Sequence, residues 1–249
     1  SVMKIKNNLT KIIMFFLSIF IAFFLLGNDI AVFMAWWFCL LVLGLIFFPI
    51  TANLFQSFND KGYLFSKVVG ISLSSYLMWL LSSIKILKFN YFSCILIITI
   101  WILINSFIFL KTREKIKINL ISQEVISKEL VFFIILLIAV FIRGFKPDAH
   151  GTEKFMDYGF MTSIMRADFM PAEDFWFAGE SLNYYYVGQF IATFLTKLSL
   201  VPVTHGYNLM LMTLSTFSFI LPISLVYNIS KHYFKKNNIK VKYAPKIAG

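Results

Sequence analysis

The sequence predicts an all-α protein: a polytopic bundle of transmembrane helices with one external polar loop that contains a short interfacial helix. Three observations lead there. Of 249 residues, 59% are hydrophobic and 14% charged, with a mean hydropathy of +0.78, whereas a soluble domain is about a quarter charged. The apolar residues come in runs near the ~20 that one bilayer crossing needs. None alternates with the period of a barrel strand, which leaves helices as the spanning form. Finally, seven of the twelve acidic residues crowd between Asp148 and Glu180.

The first run, about Ile12 to Gly27, follows Lys4, Lys6 and Lys11. It resembles a signal peptide, but no small-x-small cleavage site follows, so an uncleaved anchor is expected. Ala31 to Ile50, Tyr63 to Ser83, Tyr91 to Leu110 and Leu130 to Ile142 follow, so residues 1–142 read as five N-terminal transmembrane helices. Residues 143–183 are the acid-rich loop. Residues 184–249 hold two further spans and a basic tail: Tyr184 to Leu200, weakened by Gln189 and Lys197, then Tyr207 to Ile229.

The net charge of +11 does not signal nucleic acid, because Lys and Arg sit at the ends of apolar runs, where they orient helices in a lipid bilayer. With a cytoplasmic N-terminus, Lys61, Lys111, Arg113, Lys115, Lys117 and Lys128 fall inside and the motif loop outside, in a multi-pass protein of the cell membrane. The tail breaks this pattern, since seven crossings put Lys231, Lys235, Lys236, Lys240, Lys242 and Lys246 outside. Either the sixth run is re-entrant or the tail leads to a span beyond this chain; the second is the expectation. Cys39 and Cys94 lie within apolar runs, with no CxxC spacing or nearby His to suggest a disulfide or a metal site.

In the loop, Pro147 restricts the chain and Gly151 permits a sharp bend. Thr152 is the expected N-cap, with Glu153 in the favoured first turn, and no proline interrupts a helix up to Arg166. Glu153 and Asp157, four apart, share a helical face. Such a pair can hold a divalent metal or divide into a base and an electrostatic partner; it can equally be a solvated face. Arg166 suits a phosphate or the helix dipole. Pro171 marks a turn before Asp174, Phe175 and Trp176; Trp176 reads as an interface anchor or a ligand platform. Asn183 precedes Tyr184, Tyr185 and Tyr186, whose hydroxyls can meet a sugar or a phosphate or form an aromatic belt. His150 and His205 lack a second His at ligand spacing and read as structural or solvated.

The run PDAHGTEKFMDYGFMTSIMRADFMPAEDFWFAGESLNYYYVGQF resembles the signature of the Chlor_Arch_YYY family, uncharacterised membrane proteins of bacteria and archaea named for a tyrosine triplet. The matching pieces are Glu153 to Asp157, Arg166, Pro171, Asp174, Trp176, Gly179 and Asn183 to Tyr186. The stretch from Ala35 to Leu81 is similar to that family's opening spans. Phe175 stands where the family usually has proline. Family members are usually much longer, which matches the expectation of a further span. The layout is also similar to that of the GT-C-fold glycosyltransferases, which take a sugar from a polyprenyl-phosphate carrier at the outer membrane face. That similarity implies Glu153 or Asp157 as base, Arg166 facing phosphate, and Asp174, Trp176, Asn183 and the three tyrosines in substrate binding. The competing expectation is a non-enzymatic protein, a transporter or an envelope assembly component. A transporter would place charged or broken sites at mid-membrane, yet the spans are nearly free of charge, with Lys67 and Lys197 the exceptions.

Overall fold

The computed structural model describes residues 2–116, 119–120 and 122–237. Among them are eight α-helices and no strand: α1 (Val2–Leu26), α2 (Ile30–Leu54), α3 (Tyr63–Ser83), α4 (Tyr91–Ile116), α5 (Gln123–Gly144), α6 (Thr152–Arg166), α7 (Val187–Ser199) and α8 (Val203–Lys236). Five stretches are long and apolar enough to cross a membrane: Leu9–Leu54, Tyr63–Ser83, Tyr91–Glu114, Gln123–Gly144 and Val203–Phe234. The first is far longer than one crossing requires. The 3₁₀ turn Gly27–Asp29 folds it into the hairpin α1–α2, so that Phe15 meets Trp37 with ring centroids 5.4 Å apart.

Length separates α7 from the other apolar helices. The expected sixth run, Tyr184 to Leu200, yields only 13 helical residues, about 20 Å at ~1.5 Å per residue, against a hydrocarbon core of ~30 Å. Tyr184 to Tyr186 contribute apolar character to the run but stay outside the helix. The opposite departure occurs in α5. Its apolar run begins at Leu130, but the Ser122 hydroxyl accepts the Val125 amide at 3.2 Å, and this cap starts the helix two turns earlier. Glu129 thereby comes inside the bundle.

Helix α2 packs most extensively on α3 and α4, α5 pairs with α8 and α1, and α6 lies on α7. The centre is aromatic, with Phe33, Trp36, Phe47, Phe132 and Phe133 fully buried, while Phe16, Phe24, Phe92 and Leu103 point outward as a lipid-facing surface would. Lipid supplies no hydrogen bonds, and several polar groups inside pair with one another or with their own helix. Trp36 donates to the Thr213 hydroxyl at 2.9 Å, joining α2 to α8. Thr196 and Thr213 donate back to their own helices. Where α7 meets α8, a Cβ at Gly206 would stand 2.2 Å from the Thr196 hydroxyl oxygen, so only glycine permits that crossing.

One buried polar cluster joins three helices. Lys67 of α3 lies 2.8 Å from Glu129 of α5. The other Glu129 oxygen accepts from Trp37 at 2.8 Å, and Tyr63 adds a bond of 2.7 Å. Lys67 also reaches the Leu40 carbonyl at 3.3 Å. Sequence hydropathy placed Lys67 near a helix end and left Glu129 outside its span; packing encloses both.

Contacts between distant segments sort the bundle into two faces. On one, His205 lies 3.4 Å from Asp29, Arg143 donates to Asn208 at 2.7 Å, and Phe89 bonds the Asp168 carbonyl at 2.6 Å. Both ends of α7 are held there as well. Trp79, one turn from the end of α3, donates to the Tyr186 hydroxyl at 3.1 Å. Lys197 donates to the carbonyls of Phe89 and Met165 at 2.8 and 2.9 Å. On the opposite face, Lys11 donates to the Gln123 carbonyl at 3.1 Å, Asn53 to Thr112 at 3.2 Å, and the Asn59 amide to Asn228 at 3.0 Å. The last lysines of α8, Lys231 and Lys236, therefore lie on the Lys11 face. Lys240, Lys242 and Lys246 of the basic tail fall outside the described residues.

Candidate functional site

The motif segment builds one compact layer on the α6 face. Its helix starts at Thr152, with Gly151 at φ +111° as the N-cap, so the cap is glycine rather than the expected Thr152. Glu153 is exposed in the first turn. One turn on, Asp157 is half-buried and accepts from Gln189 of α7 at 2.6 Å. The other amide atom, Gln189 Oε1, is buried without a protein partner.

After α6 the chain turns back on itself. Ser163 donates to the Glu173 carbonyl, and Glu173 and Ser181 form an isolated antiparallel bridge. Asp174 accepts from the amides of Trp176 and Phe177 at 2.8 and 3.3 Å, a local Asx turn. That carboxylate is engaged in shaping the loop. Phe175 drops its ring onto α6, where a Cβ at Gly159 would lie 2.3 Å from it.

The structure brings together part of the expected set. Trp176 is 64% exposed and meets Phe155 and Phe175 with centroids 5.7 and 4.9 Å apart. Tyr184 and Tyr185 are exposed and stack at 4.0 Å. The adjacent Tyr184 hydroxyl raises the Tyr185 phenol above its ordinary value, and the nearby Glu153 and Asp157 carboxylates add to the rise. Glu153, Asp157 and these two tyrosines thus share one electrostatic neighbourhood. Tyr186 instead turns inward to Trp79. Asn183 is exposed. Arg166 is exposed at the far end of α6, about 14 Å along the axis from Asp157 at ~1.5 Å per residue. Among the described residues no three His, Cys, Asp or Glu side chains converge as metal ligands.

Beside this layer opens a cavity of about 650 Å³ that sequence reasoning missed. Its polar rim includes Asp29, Arg143, Asp148, His205 and Asn208; Val32, Phe33 and Met212 belong to its apolar wall. Tyr158, next to Asp157 in sequence, lines it and packs on Tyr207 with centroids 5.8 Å apart. Besides bonding Asn208, Arg143 donates to the Asp148 carbonyl at 3.2 Å. The sequence signals were faint: one acid between two apolar runs, and one arginine closing a span on the acid-rich side.

No curated protein and no solved structure matches the chain. Residues 73–245 match the family described as "Uncharacterized membrane protein (DUF2298)". The match runs from within α3 past the described end of α8 and takes in the whole motif layer. It covers more than half of the 249 residues, and the chain belongs to this family of uncharacterised membrane proteins.

Proposed function

We propose that the α6 face transfers a sugar from a polyprenyl-phosphate carrier, as part of a GT-C-like glycosyltransferase of the Chlor_Arch_YYY type, with this face outside the cell membrane. The observation that carries the reading is the cavity of about 650 Å³, apolar on its wall and polar on its rim. A lipid-linked phosphate divides in the same way. Arg143 on the rim is the group for the phosphate, since a guanidinium fork matches its oxygens. Asp157, oriented by Gln189, is the base, and Glu153 its electrostatic partner. The exposed rings of Trp176, Tyr184 and Tyr185 form the platform for the acceptor. In the reaction the acceptor oxygen bonds to the anomeric carbon. The bond from that carbon to the phosphate oxygen breaks, its electron pair leaves with the phosphate, and the acceptor proton passes to Asp157.

Charge supports the orientation. Counting α1 to α5 and α8 as crossings, with α7 returning to the face it started from, places Lys11, Lys61, Lys111, Arg113, Lys128, Lys231 and Lys236 on one side. That side is cytoplasmic by the positive-inside rule. Lys231 and Lys236 then obey the rule.

The test compares glycolipid and cell-surface glycan profiles of wild type with Asp157→Asn and Glu153→Gln at equal membrane expression. Loss of a positioned base lowers rates by ~10² to 10⁴, so the Asp157→Asn product is expected to vanish. Arg143→Lys is expected to hurt more than Arg166→Lys, given the distance of Arg166 from the base. A normal profile in both carboxylate variants sinks the enzymatic reading. The transport alternative has one observation in its favour, the enclosed Lys67–Glu129 pair, because intramembrane charges commonly mark translocation paths. It takes over if Glu129→Gln blocks growth while glycans stay normal.

A further inference from the structure

The face opposite α6 carries a second cavity, of about 340 Å³, on the order of ten times the ~30 Å³ share of one water. Four separate segments converge on it. Lys11 comes from α1, Asp60 from the α2–α3 connection, Glu124 and Lys128 from the first turns of α5, and Tyr227 and Lys231 from α8. Three ammonium groups thus face one polar space. Lys128 and Lys231 both sit over the Tyr227 ring, 5.5 and 5.7 Å from its centroid. Among the described residues neither lies within ion-pair distance of a carboxylate. Asp60 and Glu124 formally offset two of the three positive charges, and an anion beside Lys128 and Lys231 would offset the third.

Asp60 adds a separate requirement. It is 2% exposed. Its Oδ1 accepts the Gly62 amide at 3.2 Å, while Oδ2 is buried without a partner. A buried acceptor left unpaired gives up its hydration with nothing in return. Burial also pushes this carboxyl above its ordinary value, against the lowering effects of the Gly62 amide and Lys128. An occupant that suits the whole cavity therefore brings an anion for the lysines and a hydrogen-bond donor for Asp60.

We infer that this cavity binds a phosphate group that carries a primary amine, as in the ethanolamine headgroup of a membrane phospholipid. The phosphate meets Lys11, Lys128 and Lys231, and the ammonium meets Asp60 and Glu124. The site lies at the helix ends, where headgroups lie, and basic pockets between spans are known headgroup sites. The inference is independent of the sugar-transfer reading, since it uses none of the same residues and lies on the opposite face.

The full chain, purified in detergent, is offered phosphatidylethanolamine and phosphatidylcholine, and bound lipid is counted by native mass spectrometry. The ethanolamine lipid is expected to be retained over the choline lipid, whose quaternary nitrogen has no proton to donate. Lys128→Gln with Lys231→Gln should lower retention roughly thirtyfold, at about 1 kcal/mol for each of the two lysines. Lys128→Arg with Lys231→Arg should keep it, and so should Lys61→Gln, which lies off the cavity. Asp60→Asn should erase the preference for ethanolamine over choline. Equal retention of the two lipids by wild type overturns the proposal, and that comparison stands even if a variant fails to fold. Unchanged retention in the double glutamine variant also overturns it. Free phosphoethanolamine is the third arm: if it binds while the lipid does not, the lipid source is wrong.

Discussion

Glu129 gathers Lys67, Tyr63 and Trp37 from two neighbouring helices, and its replacement tests how much the bundle depends on that junction. Removing one partner of a buried ion pair leaves an uncompensated charge and costs about 3–5 kcal/mol. Lys67→Met and Glu129→Leu are each expected to lower the unfolding midpoint in detergent strongly. The double variant should lose much less than the sum, because no lone charge then remains buried. Additive losses would show that the two groups do not act as a pair. Asp60 tests burial in a different way. Its folded carboxyl holds a proton more tightly than the ordinary value of 3.8 allows, so the unfolded chain gives up that proton first as pH rises. The resulting penalty is absent below the ordinary value and complete above the raised one. Lowering the pH through that window should therefore stabilise wild type relative to Asp60→Asn. Parallel thermal midpoints for the two proteins across the window would contradict the assignment.

At the scale of elements, α6 and the turn after it behave as one unit. The ring of Phe175 lies where a Cβ at Gly159 would come within 2.3 Å, so Gly159→Leu must expel it. Overpacking of this kind costs about 1–3 kcal/mol. Trp176 should then lose its neighbour Phe175 and shift its fluorescence, while Gly144→Ala, which meets nothing, should leave the spectrum alone. An unshifted spectrum in Gly159→Leu would show that the turn does not rest on α6. Helix α6 itself was legible in the sequence because its signals are local: Pro147 and Gly151 before it, and no proline as far as Arg166. Helix α7 was not, because a hydropathy window counts Tyr184 to Tyr186 as readily as helical residues. Whether those tyrosines extend the helix depends on Trp79 and Phe160, which come from other elements.

For the whole molecule, the count of crossings decides which side each end occupies. With α7 re-entrant, Ser181 and Asn237 lie on opposite sides. Both are exposed. Ser181→Cys is expected to react with an impermeant thiol reagent in intact cells, and Asn237→Cys only after permeabilisation. Labelling of both in intact cells would restore the seventh crossing.

Composition and local pattern were enough to establish an all-helical membrane protein, the positions of most spans, and a short helix carrying Glu153 and Asp157. Each of these follows from residues close together in the chain, and hydropathy adds up over such residues whatever the rest of the protein does. The cavity beside Asp157 and the junction at Glu129 depend instead on which helices become neighbours. Asp29, Arg143 and His205 are far apart in sequence and look incidental in their own segments. Lys67 and Glu129 look like flanking charges until α2, α3 and α5 close around them. Lipid exerts little preference between one apolar helix face and another, so the pairing comes from interlocking aromatic shapes and matched polar groups, and neither can be summed along a single stretch of chain.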